Sequence, residues 1–386
     1  MRRSEFLARH YQTGDWVRVV VDGATLAEVS PAEGPALVND QDEWVSPAFW
    51  DIQTNGRWGI SFSDPALTPE QVAEIVLAND DLGASHLCPT LITAPFEAMR
   101  HGVATIARAG EADPEIASRI VGIHLEGPSI SSEDGYRGAH PLSAVRGPDW
   151  DEFQALQEAS GHRVKIVTLA PERPGAIEFI QKATAAGVVI ALAHTAADPD
   201  TLRSAVDAGA RLSTHLGNGI AATLPRHPNP IWVQAAEDRL FASLIADGHH
   251  LDPDVLRVLV RAKTPNRVIL VSDASPLAGL PVGRYGDWAV DPSGKIVVAG
   301  TPYLAGSNQA LPVGLGLLIR SAGLSLAEAI ATVTTNPARL LGLPCPSITP
   351  GQPANVLRFR LSGPDGFEFT NRGGRGTRTT KMSIKS

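Results

Sequence analysis

Ile120-Val-Gly-Ile-His-Leu-Glu-Gly-Pro128 reads as a short apolar strand that runs into His124 and Glu126 and then breaks at a Gly-Pro pair. A strand that ends by projecting a carboxylate into such a loop is how parallel α/β enzymes present reactive groups. Alone, the pattern fits equally well a strand whose last Glu meets solvent. The event recurs, however. Val188-Val-Ile-Ala-Leu-Ala-His194 ends on a histidine, Ala210-Arg-Leu-Ser-Thr-His215 on another, and Arg267-Val-Ile-Leu-Val-Ser-Asp273 on an aspartate. Four apolar runs closing on potential metal ligands or acid/base groups form a constellation.

Around that stretch, strand-like runs near 44–51, 84–91, 119–126, 164–170, 187–194, 211–215, 241–246 and 267–273 alternate with helical patterns. The helices are expected near 67–79, 95–109, 149–159, 174–186, 199–209, 230–238, 253–263 and 307–322. Thr68-Pro-Glu-Gln supplies a capping hydroxyl, a first-turn proline and an acid, and Pro171-Glu-Arg-Pro174 and Asp198-Pro-Asp200 look like similar starts. Eight such units over roughly 230 residues indicate a (β/α)8 TIM-type barrel. A doubly wound open sheet is the runner-up, but no Gly-rich nucleotide loop follows the first strand.

The two ends read differently. Residues 11–46 alternate apolar and polar positions with turns between, as in Trp16-Val-Arg-Val-Val-Val21, and the pattern returns in Trp288-Ala-Val, Ile296-Val-Val and Asn355-Val-Leu-Arg-Phe-Arg-Leu361. A small β domain built from both termini is expected. Residues 1–46 and 346–386 would form it, with the barrel over 47–345 and a solvated basic tail over 371–386.

The chain has 386 residues, 43% hydrophobic and 19% charged, which suits a folded enzyme of this size. A net charge of −8 without a basic stripe argues against a nucleic-acid partner. Cys88 and Cys345 are far apart with no CxxC, so a reduced, cytoplasmic setting is expected and neither is a ligand or nucleophile candidate. The first ten residues are too polar for a signal peptide, and no apolar run reaches membrane-span length, so no membrane partner is expected.

A barrel gathers the C-terminal ends of its strands on one rim, which would bring Glu126, His194, His215 and Asp273 together. One carboxylate and two imidazoles suit a catalytic zinc-type site with a position left open, and Asp273 suits a group that takes a proton and later returns it.

His124-Leu-Glu-Gly-Pro128, Ala193-His-Thr195, Thr214-His-Leu-Gly-Asn218, Ala246-Asp-Gly-His-His250 and Ser272-Asp-Ala274 resemble, in order, the motifs of the N-acetylglucosamine-6-phosphate deacetylases of the amidohydrolase superfamily. Asp51-Ile-Gln-Thr-Asn-Gly56, Pro89-Thr-Leu-Ile-Thr93, Thr168-Leu-Ala-Pro-Glu172, Leu304-Ala-Gly-Ser307 and Thr335-Asn-Pro-Ala338 extend the resemblance over roughly residues 45 to 355. It implies a barrel with a small β-sandwich made from the chain ends, and removal of the acetyl group from an amino-sugar phosphate. Glu126, His194 and His215 would hold one divalent metal, zinc or alternatively iron(II), and Asp273 would be general base and then acid. The resemblance places His140 near the acetamide and Asn218, Gly219 and His250 around the phosphate. Arg226 would reach in from the second subunit of a homodimer.

The sequence also departs from the family. Where many amidohydrolases carry His-x-His for a second metal it has Gln53-Thr-Asn55, and neutral amides are poor ligands for such ions. A single metal is therefore expected. Arg57-Trp58, Gly217, Gly219 and Gly306-Ser-Asn-Gln-Ala310 replace more usual residues and could reshape the sugar pocket. N-acetylgalactosamine 6-phosphate or another N-acyl hexosamine phosphate is the alternative substrate, and a non-catalytic sugar-phosphate binding protein a more distant one. A cyclic-amide hydrolase is disfavoured by the missing His-x-His and bridging lysine.

Overall fold

Eight parallel strands lie side by side in the order of the sequence, from Phe49–Thr54 through Ala84–Ile92, Ile123–Glu126, Val164–Leu169, Val189–Leu192, Leu212–Ser213 and Phe241–Leu244 to Val268–Leu270. The computed structural model describes residues 3–362, 366–372 and 381–382. A parallel bridge from Thr54 to Ala274 brings the first and last strands together, with Asp273 N–H donating to the Gln53 carbonyl at 2.9 Å and Asn55 N–H to that of Ala274 at 2.8 Å. The expected barrel is therefore closed, and it closes beside Asp273.

Several of the helices that follow the strands begin on a side-chain cap. Pro69–Asp81 starts on the Thr68 and Gln71 capping box, and Pro199–Asp207 starts on Asp198, whose carboxylate accepts from Thr201 N–H at 2.8 Å. The start expected at 171–174 is shifted. The helix there is Ala176–Ala185 behind Gly175 at φ 83°, with no side-chain cap, and Glu172 is engaged elsewhere. Leu311–Leu317 likewise begins later than expected, because Gly306 turns the chain at φ 74° and Ser307 bridges to Ala274.

The barrel interior is filled by Ile52, Cys88, Ile166, Ala191, Leu212, Phe241 and Ile269, one residue from each of seven strands. The third strand contributes His124 instead. Its ring spans from the Ile52 carbonyl (3.0 Å) to the Thr168 hydroxyl (2.7 Å), so both nitrogens are satisfied. A larger apolar cluster joins the outer faces of the strands to the helices.

The chain ends meet in one seven-stranded sheet, ordered 381–382, 366–372, 356–362, 44–47, 4–10, 16–22, 25–31. Trp44–Pro47 pairs with Val356–Ser362 from the far end of the sequence, and Glu43 accepts from Arg358 and Thr370. That strand continues directly into the first barrel strand, so the terminal sheet anchors the barrel at its start. Of the basic tail, 371–372 and 381–382 run in strands of this sheet, and the remainder lies outside the described residues.

Trp288-Ala-Val and Ile296-Val-Val do not belong to this terminal sheet. With Gly283–Tyr285 they form a separate three-stranded antiparallel sheet in the segment after the eighth strand. Val290 and Ile296 pack on Ala274, Leu277 and Ala278, which fastens the unit to the rim of the barrel. Alternation announces a strand but not its neighbour, which is why the two kinds of edge looked alike in the sequence. No described helix is long and apolar enough to cross a membrane.

Candidate active site

At the C-terminal rim three strands end on residues in the left-handed region: His194 at φ 50°, His215 at φ 34° and Asp273 at φ 47°. Non-glycine residues there cost about 1–3 kcal/mol each, and such strain gathers at functional sites. With Glu126 these three side chains line a cavity of about 240 Å3, together with Asn55, His140, Gly217, Asn218, Gly219 and His250. Eight of the nine residues singled out from the sequence thus converge. The ninth, Arg226, is exposed on its own loop and does not line the cavity of its own chain.

Glu126 is the hub. Its Oε1 lies 2.8 Å from His215 Nε2 and 3.3 Å from His194 Nε2. Burial opposes its charge, but the two imidazoles beside it hold the carboxyl well below the usual range. His194 donates from Nδ1 to the Tyr136 carbonyl at 2.8 Å, which fixes the ring and leaves the Nε2 lone pair facing the cluster. Glu126, His140 and His194 each bring a ligand-type atom within 4.8 Å of the others. The Nε2 atoms of His194 and His215, both beside the charged Glu126 carboxylate, complete a donor set that a divalent cation fits.

The hydrogens separate His140 from the other two histidines. Its Nδ1 accepts from Thr93 N–H at 3.4 Å and lies 2.9 Å from the Thr93 hydroxyl, so the ring hydrogen sits on Nε2, facing the cavity. Burial and the neighbouring His194 push its pKa down to about 3, so the ring is neutral, with its one hydrogen turned toward the cavity. Among the described residues, His215 Nδ1 has no hydrogen-bond partner.

Asp273 receives the amides that stand where His-x-His might. Asn55 Nδ2 donates to its Oδ1 at 2.6 Å and Gln53 Nε2 at 3.2 Å, so both side chains serve Asp273. Its Oδ2 has no hydrogen bond to the described residues. Burial, and then the charge of Glu126, push this carboxyl up to about 8, a shift that a cation beside Glu126 would oppose.

Several supporting groups are not evident from sequence. Glu172 accepts from Thr195 Oγ1 at 2.6 Å and Ala196 N–H at 2.8 Å, bracing the turn after His194. The Tyr136 carbonyl carries no sequence signal, since every residue has one. Trp288, Pro302 and Tyr303, from the inserted antiparallel unit and its exit, form part of the cavity wall. Arg57 and Trp58 do not line it, and Trp58 packs against Gly279.

Gly219 sits at φ 60°, where a Cβ would lie 2.7 Å from His194 Nδ1. Gly219→Ala should displace the His194 ring and weaken metal retention roughly tenfold, the scale of losing a ligand's supporting contact. Metal content after dialysis against graded chelator measures this, and wild-type retention would show that the ring has room to spare.

The Amidohydrolase family model matches residues 44–375. The N-acetylglucosamine-6-phosphate deacetylase of Bos taurus is 37% identical over 314 residues, 78% of this chain and 75% of that protein. The N-acetylgalactosamine-6-phosphate deacetylase of Escherichia coli O157:H7 is 31% identical over 345 residues, 88% and 89% of the two chains. Among solved structures, a mutant N-acetyl-D-glucosamine-6-phosphate deacetylase from Mycobacterium smegmatis in complex with N-acetyl-D-glucosamine 6-phosphate superposes with a TM-score of 0.83 at 31% identity, covering 95% of this chain and 97% of that one. With the barrel, the His/Glu cluster and a match over most of its length, the chain belongs to the amidohydrolase family, whose members hydrolyse C–N bonds.

Proposed function

We propose that this enzyme deacetylates N-acetylglucosamine 6-phosphate to glucosamine 6-phosphate and acetate. The observation that carries the reading is the buried Asp273, held by two amides on one oxygen and free on the other, facing the Glu126, His194 and His215 cluster across one cavity. Bound by those three ligands, a single divalent ion, zinc by its donor set and iron(II) as the alternative, would polarise the acetamide carbonyl and acidify a water.

The chain's own groups do the rest. Asp273 takes a proton from the attacking water through its free Oδ2 and returns it to the departing amine, without which an amide nitrogen leaves poorly. His140 donates from Nε2 to the carbonyl oxygen as negative charge gathers there. Asn218, Gly219 and His250, on the loops beyond the sixth and seventh strands, hold the phosphate, and Gly219 lets its backbone approach closely. Arg226, exposed on its loop, would add a planar fork to the phosphate in the neighbouring subunit of a homodimer.

N-acetylgalactosamine 6-phosphate is the competing substrate, named for an Escherichia coli relative that matches over more of the chain but at lower identity than the glucosamine relative of Bos taurus. Acetate release from both sugar phosphates, with and without chelator, tests the reading. Chelator-sensitive release, faster from the glucosamine epimer, is expected. A preference for the galactosamine epimer would reassign the substrate, and no release from metal-loaded protein would remove the proposal.

A further inference from the structure

We propose that Asp247 is the positioning residue for phosphate recognition, acting through His250; this rests on the deacetylase reading above. Asp247 follows the seventh barrel strand, and its two oxygens divide their work. Oδ1 accepts from the backbone N–H groups of His249 (2.8 Å) and His250 (2.9 Å), which closes the turn and sets where residue 250 lies. Oδ2 accepts from the His250 ring at Nδ1, 2.7 Å away. Both side chains are nearly fully buried, at 6% and 4% exposure, yet His250 lines the cavity and Asp247 does not. The ring is thus pinned from behind, with Nε2 as its only nitrogen open to ligand. His249 is not on the cavity wall.

Hydrogen counting gives the pair its consequence. Nδ1 must carry a hydrogen to bond a carboxylate, and Nε2 must carry one to bond a phosphate, which only accepts. A ring that gives both hydrogens is an imidazolium. Asp247 supplies the countercharge such a ring needs: burial opposes that charge, but the His250 ring and the two backbone N–H groups hold the carboxyl well below its usual range. Asp247 therefore supplies position and also the countercharge that makes His250 a cationic donor toward the anionic end of the substrate.

Asp247→Asn separates the two contributions. The amide oxygen can still accept from the backbone, while its NH2 donates to Nδ1 and moves the remaining ring hydrogen to Nε2. Donor and position stay, and the charge goes. KM for the sugar phosphate should rise about tenfold, with the change falling on KM rather than kcat. Asp247→Ser keeps an acceptor for the backbone but loses the ring contact as well. It should raise KM about a hundredfold, and it serves as the test if the asparagine variant folds poorly. In a His250→Asn background, Asp247→Asn should add no further rise in KM.

A KM within twofold of wild type, a loss confined to kcat, or the same penalty in the His250→Asn background would overturn the assignment. These results differ from failure of the deacetylase reading, in which the wild-type protein itself releases no acetate.

Discussion

Asp273→Asn should lower kcat for acetate release by about a thousandfold to ten-thousandfold while leaving metal content and KM near wild type. The substitution is unusually clean here. The side-chain oxygen of an asparagine can still accept from Asn55 Nδ2 and Gln53 Nε2, so the new side chain should keep the position of the old one. What it loses is the ability of the outward-facing atom to take a proton and give it back. Steady-state kinetics on metal-loaded variant protein checks this, with metal per chain measured on the same sample. Turnover within tenfold of wild type would transfer the proton-carrying role to another group.

Glu126→Gln should have a larger effect through a different route. Among the described residues the carboxylate is the only anion bonded to His194 and His215, and it is nearly completely buried. An isosteric amide removes that charge and turns a donor NH2 toward the two imidazole nitrogens proposed to hold the cation. Metal affinity should fall by more than the 10–100-fold that follows loss of an outer supporting partner, and acetate release should drop to background. Metal analysis after gel filtration and acetate release at saturating zinc are the two measurements. Activity that excess zinc fully restores would make Glu126 a supporting ligand rather than the hub.

Most of the barrel was readable because its strands are short apolar runs, several with a polar residue at the end, and several of the helices between them carry their own caps. The convergence of the candidate site was readable for the same reason: Glu126, His194, His215 and Asp273 punctuate those runs and line one cavity. What escaped is information that local patterning does not hold. The amides of Gln53 and Asn55 were recognised as poor ligands, but their actual partner lies about 220 residues away and is met only when the barrel closes. The strands at 288–290 and 296–298 were visible as strands, yet their alternation could not say that they pair with one another at the rim instead of with the chain ends. His140 was placed by resemblance alone, and its protonation follows from Thr93, a contact 47 residues distant.

The closure of the barrel makes catalysis a late event in the life of the chain. Glu126, His194 and His215 all precede residue 216, so a nascent polypeptide can bring these three together before Asp273 has been made. Asp273 reaches its place only when the segment after the eighth strand hydrogen-bonds to Gln53 and Asn55. A chain caught before that step, or one whose final strand has detached, would carry the ion and stay silent. Metal content would then count polypeptides, and turnover would count only those whose two ends have found each other.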